Sequence, residues 1–379
     1  MIQSSVTVSQ AIDKMVLREA GMYGSLEDLP LISQKGHYRR AELLESLDIG
    51  DVSGKVIADF GTGSWGIAGI YPRLQRCKFA YGLDVSRAAL DTAAKLSREG
   101  SFPYGQNFEY RQSDGLDLPF PDESLDILFG GESIEHVRFP KRFLAEAYRV
   151  LRPNGQIILT TPNRDALLYK IQDDIYCPSP EHFWLFNTQE FTECVGEFFD
   201  IQECYGFNGS IYRDLDKTSK DDLACEAWAK MFHHQPELGT GVVLRAVKSR
   251  PNITKRYQVT PIDSGEVVVT GESRVLELAF GLMGTMIDSP SSKIEFTAPP
   301  ADGLVLFFWS HNWSGYTLVQ CGFRVIEQNL WTKDSGWKPV HFDMAQTSPK
   351  KIRIYALGRK DERAACPQVI FFEAFTYTV

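Results

Sequence analysis

Two carboxylates and an imidazole lie close together in the stretch Glu132-Ser-Ile-Glu135-His136. If this stretch is helical, the i, i+3 and i+4 spacing places the three side chains on one face. Carboxylate oxygens together with an imidazole suit a divalent cation such as Mg²⁺ or Mn²⁺. A bound cation lowers the pKa of a ligated water, and it would act in the same direction on a hydroxyl group, which is otherwise a poor nucleophile.

A more distant histidine, His182, lies on a predicted loop just before a helix and could complete this metal site. Two other interpretations stay open at this point. His136 could act without a metal, as a general base that removes the proton of an attacking hydroxyl. Glu135 and His136 could also be positions that only the fold requires. We expect a metal site in which Glu135 and His136 are the catalytic residues.

A glycine-rich turn is the second chemical feature. Gly61, Gly63 and Gly66 form G-x-G-x-x-G after a predicted strand, and Asp84 ends the next strand, as in dinucleotide-binding proteins. Asp59 changes this interpretation, because a carboxylate is repelled by a pyrophosphate and stabilised by a cationic ligand. S-adenosylmethionine (SAM) carries a sulfonium and an ammonium and no phosphate. Asp84 could then accept hydrogen bonds from its two ribose hydroxyls.

The elements that must position these residues alternate between strands and helices. Predicted strands are KVIADFGTG, FAYGLDV, LDILFGG and LRPNGQIILTT, the last turning at Asn154-Gly155. Predicted helices cover residues 9–20, 38–47, 87–97, 140–150, 188–196 and 221–234, with Ser86 and the Asn187/Glu190 pair as caps. Such alternation predicts an α/β fold with a mostly parallel sheet and helices on both faces, and places both features at the carboxyl end of the sheet, where ligands bind.

The pattern changes after the linker-like tract SRPNIT, residues 249–254. Short segments separated by Gly, Pro, Ser and Asp follow it, without helices: GEVVVTG, SRVLELAFG, KIEFTAP, LVLFFWS, YTLVQCGF, KKIRIYALG and VIFFEAFTYTV. They predict an all-β sandwich or jelly roll. We therefore expect two domains, 1–249 and 250–379.

The stretch from Val56 to Val247 resembles the class I SAM-dependent methyltransferases, and its quoted elements are VIADFGTGSWG, YGLDVS, RQSDGLDLPFPDESLDILF and EHVRFPKRFLAEAYRVLRPNGQIILTTPN. The resemblance implies a Rossmann-like sheet. It also implies that Asp59, Gly61 and Gly63 hold the methionine end of SAM, and that Asp84 holds the ribose. By the same resemblance the adenine lies against three consecutive residues, Asp114, Gly115 and Leu116. Trp65 stands where the family often has glycine.

A narrower resemblance concerns the E-x-x-E-H motif with the later TPN and a distal histidine. This set is similar to metal-dependent 2′-O-methyltransferases that modify small-RNA 3′ ends, and E-x-x-E-H also occurs in ubiquinone-pathway and sugar O-methyltransferases. The resemblance implies four metal ligands: Glu132, Glu135, His136 and His182.

Charge and cysteine content narrow the functional classes. The 379 residues carry a formal net charge of −9. Residues 1–249 hold 26 basic and 36 acidic residues, a balance that argues against nucleic acid as a partner. Seven cysteines without a Cys-x-x-Cys pair predict reduced thiols and a cytoplasmic location. No signal-like N-terminus and no long apolar run is present, so we expect no membrane span.

Together these features predict a SAM-dependent O-methyltransferase that uses Mg²⁺ or Mn²⁺ and modifies a sugar or glycan hydroxyl, as in polysaccharide biosynthesis. Two alternatives remain: a methyltransferase of RNA 3′ ends, and a non-catalytic glycan-binding or assembly protein with a vestigial SAM fold. The C-terminal domain could mediate homo-oligomer formation or contact a glycan-assembly partner.

Overall fold

The computed structural model describes residues 47–63, 76–98, 108–167, 170, 182–207, 232–249, 257–278, 282–332, 335–344 and 348–379. The helices predicted over residues 9–20, 38–47 and 221–234 lie wholly or largely outside these ranges, as do Trp65 and Gly66. The chain divides into two compact units. One comprises residues 12–176 and 185–254, and the other comprises residues 1–11, 177–184 and 255–379.

The first unit contains a seven-stranded sheet in the order β3-β2-β1-β4-β5-β7-β6. Strands β1 to β5 pair in parallel, and β7 runs antiparallel to both of its neighbours. The predicted mostly parallel, Rossmann-like sheet is therefore confirmed. The strands are β1 (Val56–Phe60), β2 (Phe79–Asp84), β3 (Phe108–Gln112), β4 (Leu125–Gly131), β5 (Leu151–Pro162), β6 (Asp200–Phe207) and β7 (Gly241–Val247).

Three helices of this unit lie within the described residues: α1 (Arg87–Arg98), α2 (Pro140–Val150) and α3 (Thr188–Gly196). Ser86 caps α1, because its Oγ accepts a hydrogen bond from the Ala89 amide at 3.1 Å. Asn187 and Glu190 form the predicted capping box at the start of α3. The local sequence signals for helix starts are therefore confirmed at both positions.

A buried apolar cluster fixes the central strands of this sheet. It joins the first described residues of the chain to four strands, and its members are Leu47, Ile49, Val52, Ile57, Ile127, Phe129, Ile158 and Val243. The strands alternate little between apolar and polar residues, as expected for a parallel sheet that is covered on both faces. The cluster fixes β1 and β4, and β2 pairs with β1, so the carboxyl ends that carry the chemical residues lie side by side.

The second unit is a β-sandwich. A six-stranded sheet follows the order β10-β11-β18-β13-β16, with β8 paired to β18, and a five-stranded sheet follows β15-β14-β17-β12-β9. Strands β11 to β18 occupy the eight positions of a jelly roll, as predicted. The strands are β8 (Gln258–Pro261), β9 (Val268–Thr270), β10 (Arg274–Glu277), β11 (Met283–Ile287), β12 (Lys293–Ala298), β13 (Gly303–Ser310), β14 (Gly315–Cys321), β15 (Arg324–Asn329), β16 (Gly336–Asp343), β17 (Lys350–Lys360) and β18 (Val369–Thr378).

The sandwich core lies between the two sheets and contains side chains from both, including Phe296, Phe308, Ile354 and Phe371. Four strands of this unit were not anticipated: QVTP (β8), MGTMI (β11), RVIEQN (β15) and GWKPVHFD (β16). The first two are only four and five residues long, and the other two carry several polar or charged residues, so the periodicity of all four is weak. Among the described residues, no helix has the length and apolar character needed to cross a membrane. Within that same part of the chain the cysteines are free thiols.

A short segment before α3 packs on the strands of the sandwich. Phe183 contacts the rings of Phe307 and Trp337, with centroid distances of 5.6 and 5.3 Å, and Trp184 contacts His341 at 4.7 Å. These contacts account for the grouping of Phe183 and Trp184 with the C-terminal strands.

We propose that residues 1–249 nevertheless fold alone, because β7 completes the parallel-rich sheet before the linker begins. A protein truncated after Ser249 is expected to keep its far-ultraviolet circular dichroism and its SAM affinity within about twofold. Phe183 and Trp184 lose their aromatic partners in this truncation, so exposure of apolar surface should rise, as measured by a hydrophobic dye. An unfolded truncation product would contradict the proposed boundary.

Candidate active site

The glycine turn after β1 has the backbone conformation that only glycine adopts easily. Gly61 and Gly63 have φ angles of +71° and +56°. A Cβ atom on Gly61 would lie 2.6 Å from the Cβ of Ser133. The turn therefore packs directly against the Glu132–His136 segment, and the two chemical features predicted from the sequence adjoin in one unit.

Asp59 lies at the end of β1 and is only 1% exposed. Its Oδ2 accepts a hydrogen bond from the Thr62 hydroxyl at 3.0 Å. The Thr62 amide in turn donates to the Leu83 carbonyl on β2 at 2.9 Å. Thr62 thus fixes both the carboxylate and the turn, a role that the spacing of the glycines did not reveal.

Asp84 ties the glycine turn to the start of α1. Its Oδ2 accepts from the Gly63 amide at 2.9 Å, and its Oδ1 accepts from the Ser86 amide at 2.8 Å. A carboxylate can accept several hydrogen bonds, so these two bonds are compatible with the predicted ribose contact. The predicted ribose-binding residue therefore has a structural function as well, which the sequence reasoning did not include.

The predicted adenine-binding residues form a tight loop after β3. Asp114 Oδ1 accepts from the Leu116 amide at 2.9 Å. Gly115 has a φ of +80°, and a Cβ there would lie 2.7 Å from the Phe60 ring. Arg142, on α2, donates from Nε to the Leu116 carbonyl at 2.9 Å. Arg142 was missed because nothing in its local sequence indicates a partner 26 residues away.

Glu132 follows β4 in the left-handed region, with a φ of +49°. Its amide donates to Thr160 Oγ1 at 2.9 Å, and that hydroxyl donates back to Glu132 Oε1 at 2.9 Å. A left-handed non-glycine residue is strained, and such strain concentrates at functional sites. The end of β5 therefore holds this carboxylate in place.

Glu135 and His136 belong to a 3₁₀ turn, residues 134–136, and not to an α-helix. Glu135 is 1% exposed, and its Oε2 accepts from the Thr161 hydroxyl at 3.1 Å. His136 Nε2 lies 4.0 Å from Glu135 Oε1, and the imidazole side chain is 32% exposed. Glu132 precedes this turn, so a shared helical face does not align the three side chains.

Two consecutive threonines at the end of β5, Thr160 and Thr161, bind the two carboxylates instead. Successive side chains on a strand point to opposite sides, which lets each hydroxyl serve a different glutamate. The segment that resembles the methyltransferases ends in TTPN and so contains both threonines, but the resemblance assigns them no role. His182 belongs to the segment grouped with the sandwich, and its place among the ligands stays a prediction.

Residues 58–159 match the methyltransferase domain family. The sheet order and the glycine turn around this match are those of a Rossmann-like methyltransferase fold.

Three relatives show the range of similarity. A probable S-adenosylmethionine-dependent methyltransferase of Mycobacterium tuberculosis is 34% identical over 110 residues, covering 28% of this chain and 39% of the relative. A ubiquinone/menaquinone biosynthesis C-methyltransferase of Desulfotalea psychrophila is 30% identical over 164 residues, covering 42% of this chain and 61% of the relative. A fatty-acid O-methyltransferase of Mycolicibacterium smegmatis is 30% identical over 174 residues, covering 41% of this chain and 61% of the relative. The chain thus spans between two fifths and three fifths of these relatives' length.

Among solved structures, a putative methyltransferase of Haloferax volcanii in complex with its Trm112 activator is similar to this chain. Its sequence identity is 17% and its TM-score is 0.45, with 65% of this chain and 99% of that chain covered.

Gly61→Ala is expected to lower the free energy of unfolding by about 1–3 kcal/mol, because a left-handed alanine is strained and its methyl group meets Ser133. SAM affinity should fall as well, since the turn must move. Gly50→Ala is the matched control, because Gly50 has a φ of +68° with nothing within 4 Å of a Cβ. Denaturant titration and calorimetry measure both effects. Equal losses in the two variants would show that contact with Ser133 is unimportant.

Proposed function

We propose that this protein is a SAM-dependent O-methyltransferase that transfers a methyl group to a hydroxyl of a sugar or glycan with the help of a divalent cation. The observation that carries the proposal is the packing of Gly61 against Ser133. Ser133 belongs to the segment 132–136, so this contact supports a position for that segment beside the turn that the resemblance assigns to SAM. A methyl donor and a group that activates its acceptor would therefore be neighbours.

The residues of the glycine turn fit SAM. Asp59 and Asp84 are carboxylates at the ends of β1 and β2. Asp59 suits a cationic ligand without phosphate groups, and Asp84 suits a ribose. Asp84, which also accepts from the Gly63 and Ser86 amides, is the carboxylate that we propose for the ribose hydroxyls. The left-handed glycines bring the backbone close to the ligand without side chains between them.

The donor set beside this turn also fits a hard divalent cation. Glu132 and Glu135 offer carboxylate oxygens and His136 offers an imidazole nitrogen, a combination typical of Mg²⁺ or Mn²⁺ sites. Thr160 and Thr161 orient the two carboxylates, as partners of metal ligands commonly do. We propose His182 as the fourth ligand, from the sequence resemblance alone. A bound cation would polarise the acceptor hydroxyl.

The reaction requires removal of one proton. The acceptor oxygen forms a bond to the methyl carbon as the bond between that carbon and sulfur breaks, and S-adenosylhomocysteine leaves. A cation held by Glu132, Glu135 and His136 would lower the pKa of the acceptor hydroxyl, so that its proton passes to solvent. In the metal-free alternative, His136 would take that proton, and Glu135, whose Oε1 lies 4.0 Å from His136 Nε2, would stabilise the resulting imidazolium. Positioning of the acceptor supplies much of the remaining rate.

A second candidate is methylation of carbon in a quinone ring, which the similarity to the Desulfotalea psychrophila enzyme favours. The fatty-acid O-methyltransferase of Mycolicibacterium smegmatis shows that relatives of comparable identity also modify oxygen. Two glutamates held for a cation serve a hydroxyl better than a ring carbon, because a hydroxyl oxygen can ligate the cation. We therefore prefer the oxygen acceptor.

Transfer of a labelled methyl group from SAM to a panel of acceptors tests this proposal. The panel contains neutral and acidic oligosaccharides, a demethylated quinone, a fatty acid and an RNA 3′ end. We expect label in an oligosaccharide, and nuclear magnetic resonance of the product should show a methyl ether. A methyl group on a ring carbon, or labelling of the RNA alone, would contradict the glycan acceptor while preserving the methyltransferase reaction.

A further inference from the structure

The outward face of the five-stranded sheet carries a pattern that the methyl-transfer site does not explain. On β17, Ile352 and Ile354 point into the sandwich core, whereas Lys351, Arg353 and Tyr355 alternate with them and point outward. The outward residues of the neighbouring strands are likewise polar, basic or aromatic rather than uniformly apolar. This face is therefore suited to a ligand that contains both polar and ring surfaces.

The strand register brings these side chains into two adjacent rows. One row contains Glu295, Arg353 and Gln320, on β12, β17 and β14. The other row contains Lys293 and Tyr355 on β12 and β17. Paired residues on one face of antiparallel strands have Cβ atoms about 5 Å apart, so the rows form a continuous surface.

Three basic side chains surround a single carboxylate in this surface, and we call Lys293, Lys351, Arg353 and Glu295 the basic cluster. Lys351 Nζ lies 2.6 Å from Glu295 Oε1, and Arg353 Nε and Lys293 Nζ lie 2.7 and 3.4 Å from Oε2. Hydrogen bonds from Lys351 and Arg353 lower the pKa of Glu295 to about 2. One negative charge thus faces three positive charges, and the cluster can accept a further anion.

Flat side chains border the basic cluster. Tyr355 lies between Leu318 on β14 and Lys293 on β12 in the strand register. Tyr316 lies further along β14, with the Arg359 guanidinium 4.1 Å from its ring centroid. Tyrosine rings offer an apolar face with a polar edge, which suits the apolar faces and hydroxyls of sugar rings.

We propose that this face binds an acidic polysaccharide, with the carboxylate of a uronic acid residue on the basic cluster and a sugar ring on Tyr355. Lys351 is 53% exposed in its side chain, and Lys293 and Arg353 are about one-third exposed, so a ligand can reach all three. The inference rests on the proposed function and adds that the glycan is negatively charged. Its test is a binding measurement, so a failure here leaves the methyl-transfer proposal standing.

Charge complementarity favours a polysaccharide over other anionic polymers. Residues 250–379 contain 14 basic and 13 acidic residues, so the sandwich is nearly neutral. Nucleic acids bind through many phosphate contacts and require a broader basic surface. A polysaccharide can instead be held by one carboxylate on a local excess of positive charge, which the basic cluster provides, together with a sugar ring on Tyr355.

Affinity electrophoresis of the full chain in gels containing polygalacturonate tests this proposal, with amylose as the neutral probe. We expect retardation by polygalacturonate only, and about tenfold weaker binding in the Lys351→Gln/Arg353→Gln double variant, because two charge-assisted contacts are lost. Glu295→Gln removes the competing carboxylate and should strengthen binding severalfold. Tyr355→Ala should weaken it without changing the charge.

The matched control is Lys350→Gln/Arg324→Gln, which removes the same charge next to the basic cluster but outside it. This control should bind polygalacturonate nearly as well as the wild type, and circular dichroism checks that each variant is folded. Equal weakening in both double variants would overturn the proposal. Wild-type protein that ignores polygalacturonate, or binds single-stranded DNA or phosphatidylserine vesicles equally well, would also overturn it.

Discussion

Removal of divalent cations with EDTA is expected to reduce methyl transfer at least a hundredfold, and added Mg²⁺ or Mn²⁺ should restore it. The reason is that Glu132, Glu135 and His136 would hold the cation that polarises the acceptor hydroxyl. SAM affinity should change by less than twofold, because we propose that SAM is held by Asp59, Asp84 and the glycine turn and not by the cation. Initial rates of label transfer in metal-free and reconstituted protein provide the measurement.

Glu135→Gln should reproduce the loss, because it removes a charged ligand at nearly constant volume. Thr161→Val should cause a smaller loss of about tenfold, since it removes only the hydroxyl that donates to Glu135 at 3.1 Å. Glu193→Gln on α3 is the matched control and should be fully active. Full activity in EDTA together with inactive His136→Ala would instead establish His136 as an unaided general base and end the metal proposal.

Asp84→Ala is expected to weaken SAM binding by about 1.5–3 kcal/mol, because hydrogen bonds to a charged acceptor are lost. The structure adds a second cause. The same substitution releases the Gly63 and Ser86 amides, which the carboxylate holds at 2.9 and 2.8 Å, so the turn itself should loosen. Isothermal titration calorimetry measures the affinity, and hydrogen exchange at the two amides measures the loosening.

Asp91→Ala on α1 provides the control for this substitution. Asp91 is 62% exposed in its side chain and pairs only locally with Arg87, so its removal should leave SAM affinity unchanged. Equal affinity in Asp84→Ala and wild-type protein would remove Asp84 from the cofactor site and leave it a purely structural residue.

The fold was predictable where the signals are local. The Ser86 cap, the Asn187/Glu190 capping box and the left-handed glycines Gly61 and Gly63 all follow from short-range backbone chemistry. The alternation of elements then determines a mostly parallel sheet, and the run of short strands determines a sandwich.

The site was less predictable where it depends on distant residues. Thr160 and Thr161 position glutamates 28 and 26 residues earlier in the chain, and spacing within E-x-x-E-H carries no information about them. The 3₁₀ turn of residues 134–136 also differs from the helix that a shared face for the three side chains would require, and the backbone is already extended at Val137. Phe183 packs on strands more than 120 residues away, a contact that only the tertiary structure specifies.

The central claim is that the glycine turn binds SAM, and calorimetric titration of the full chain with SAM, S-adenosylhomocysteine and NAD⁺ tests it most directly. We predict one site per chain for SAM and for S-adenosylhomocysteine, with no detectable heat from NAD⁺, because Asp59 repels a pyrophosphate. Protein that binds NAD⁺ and ignores both SAM and S-adenosylhomocysteine would contradict the methyltransferase assignment as a whole.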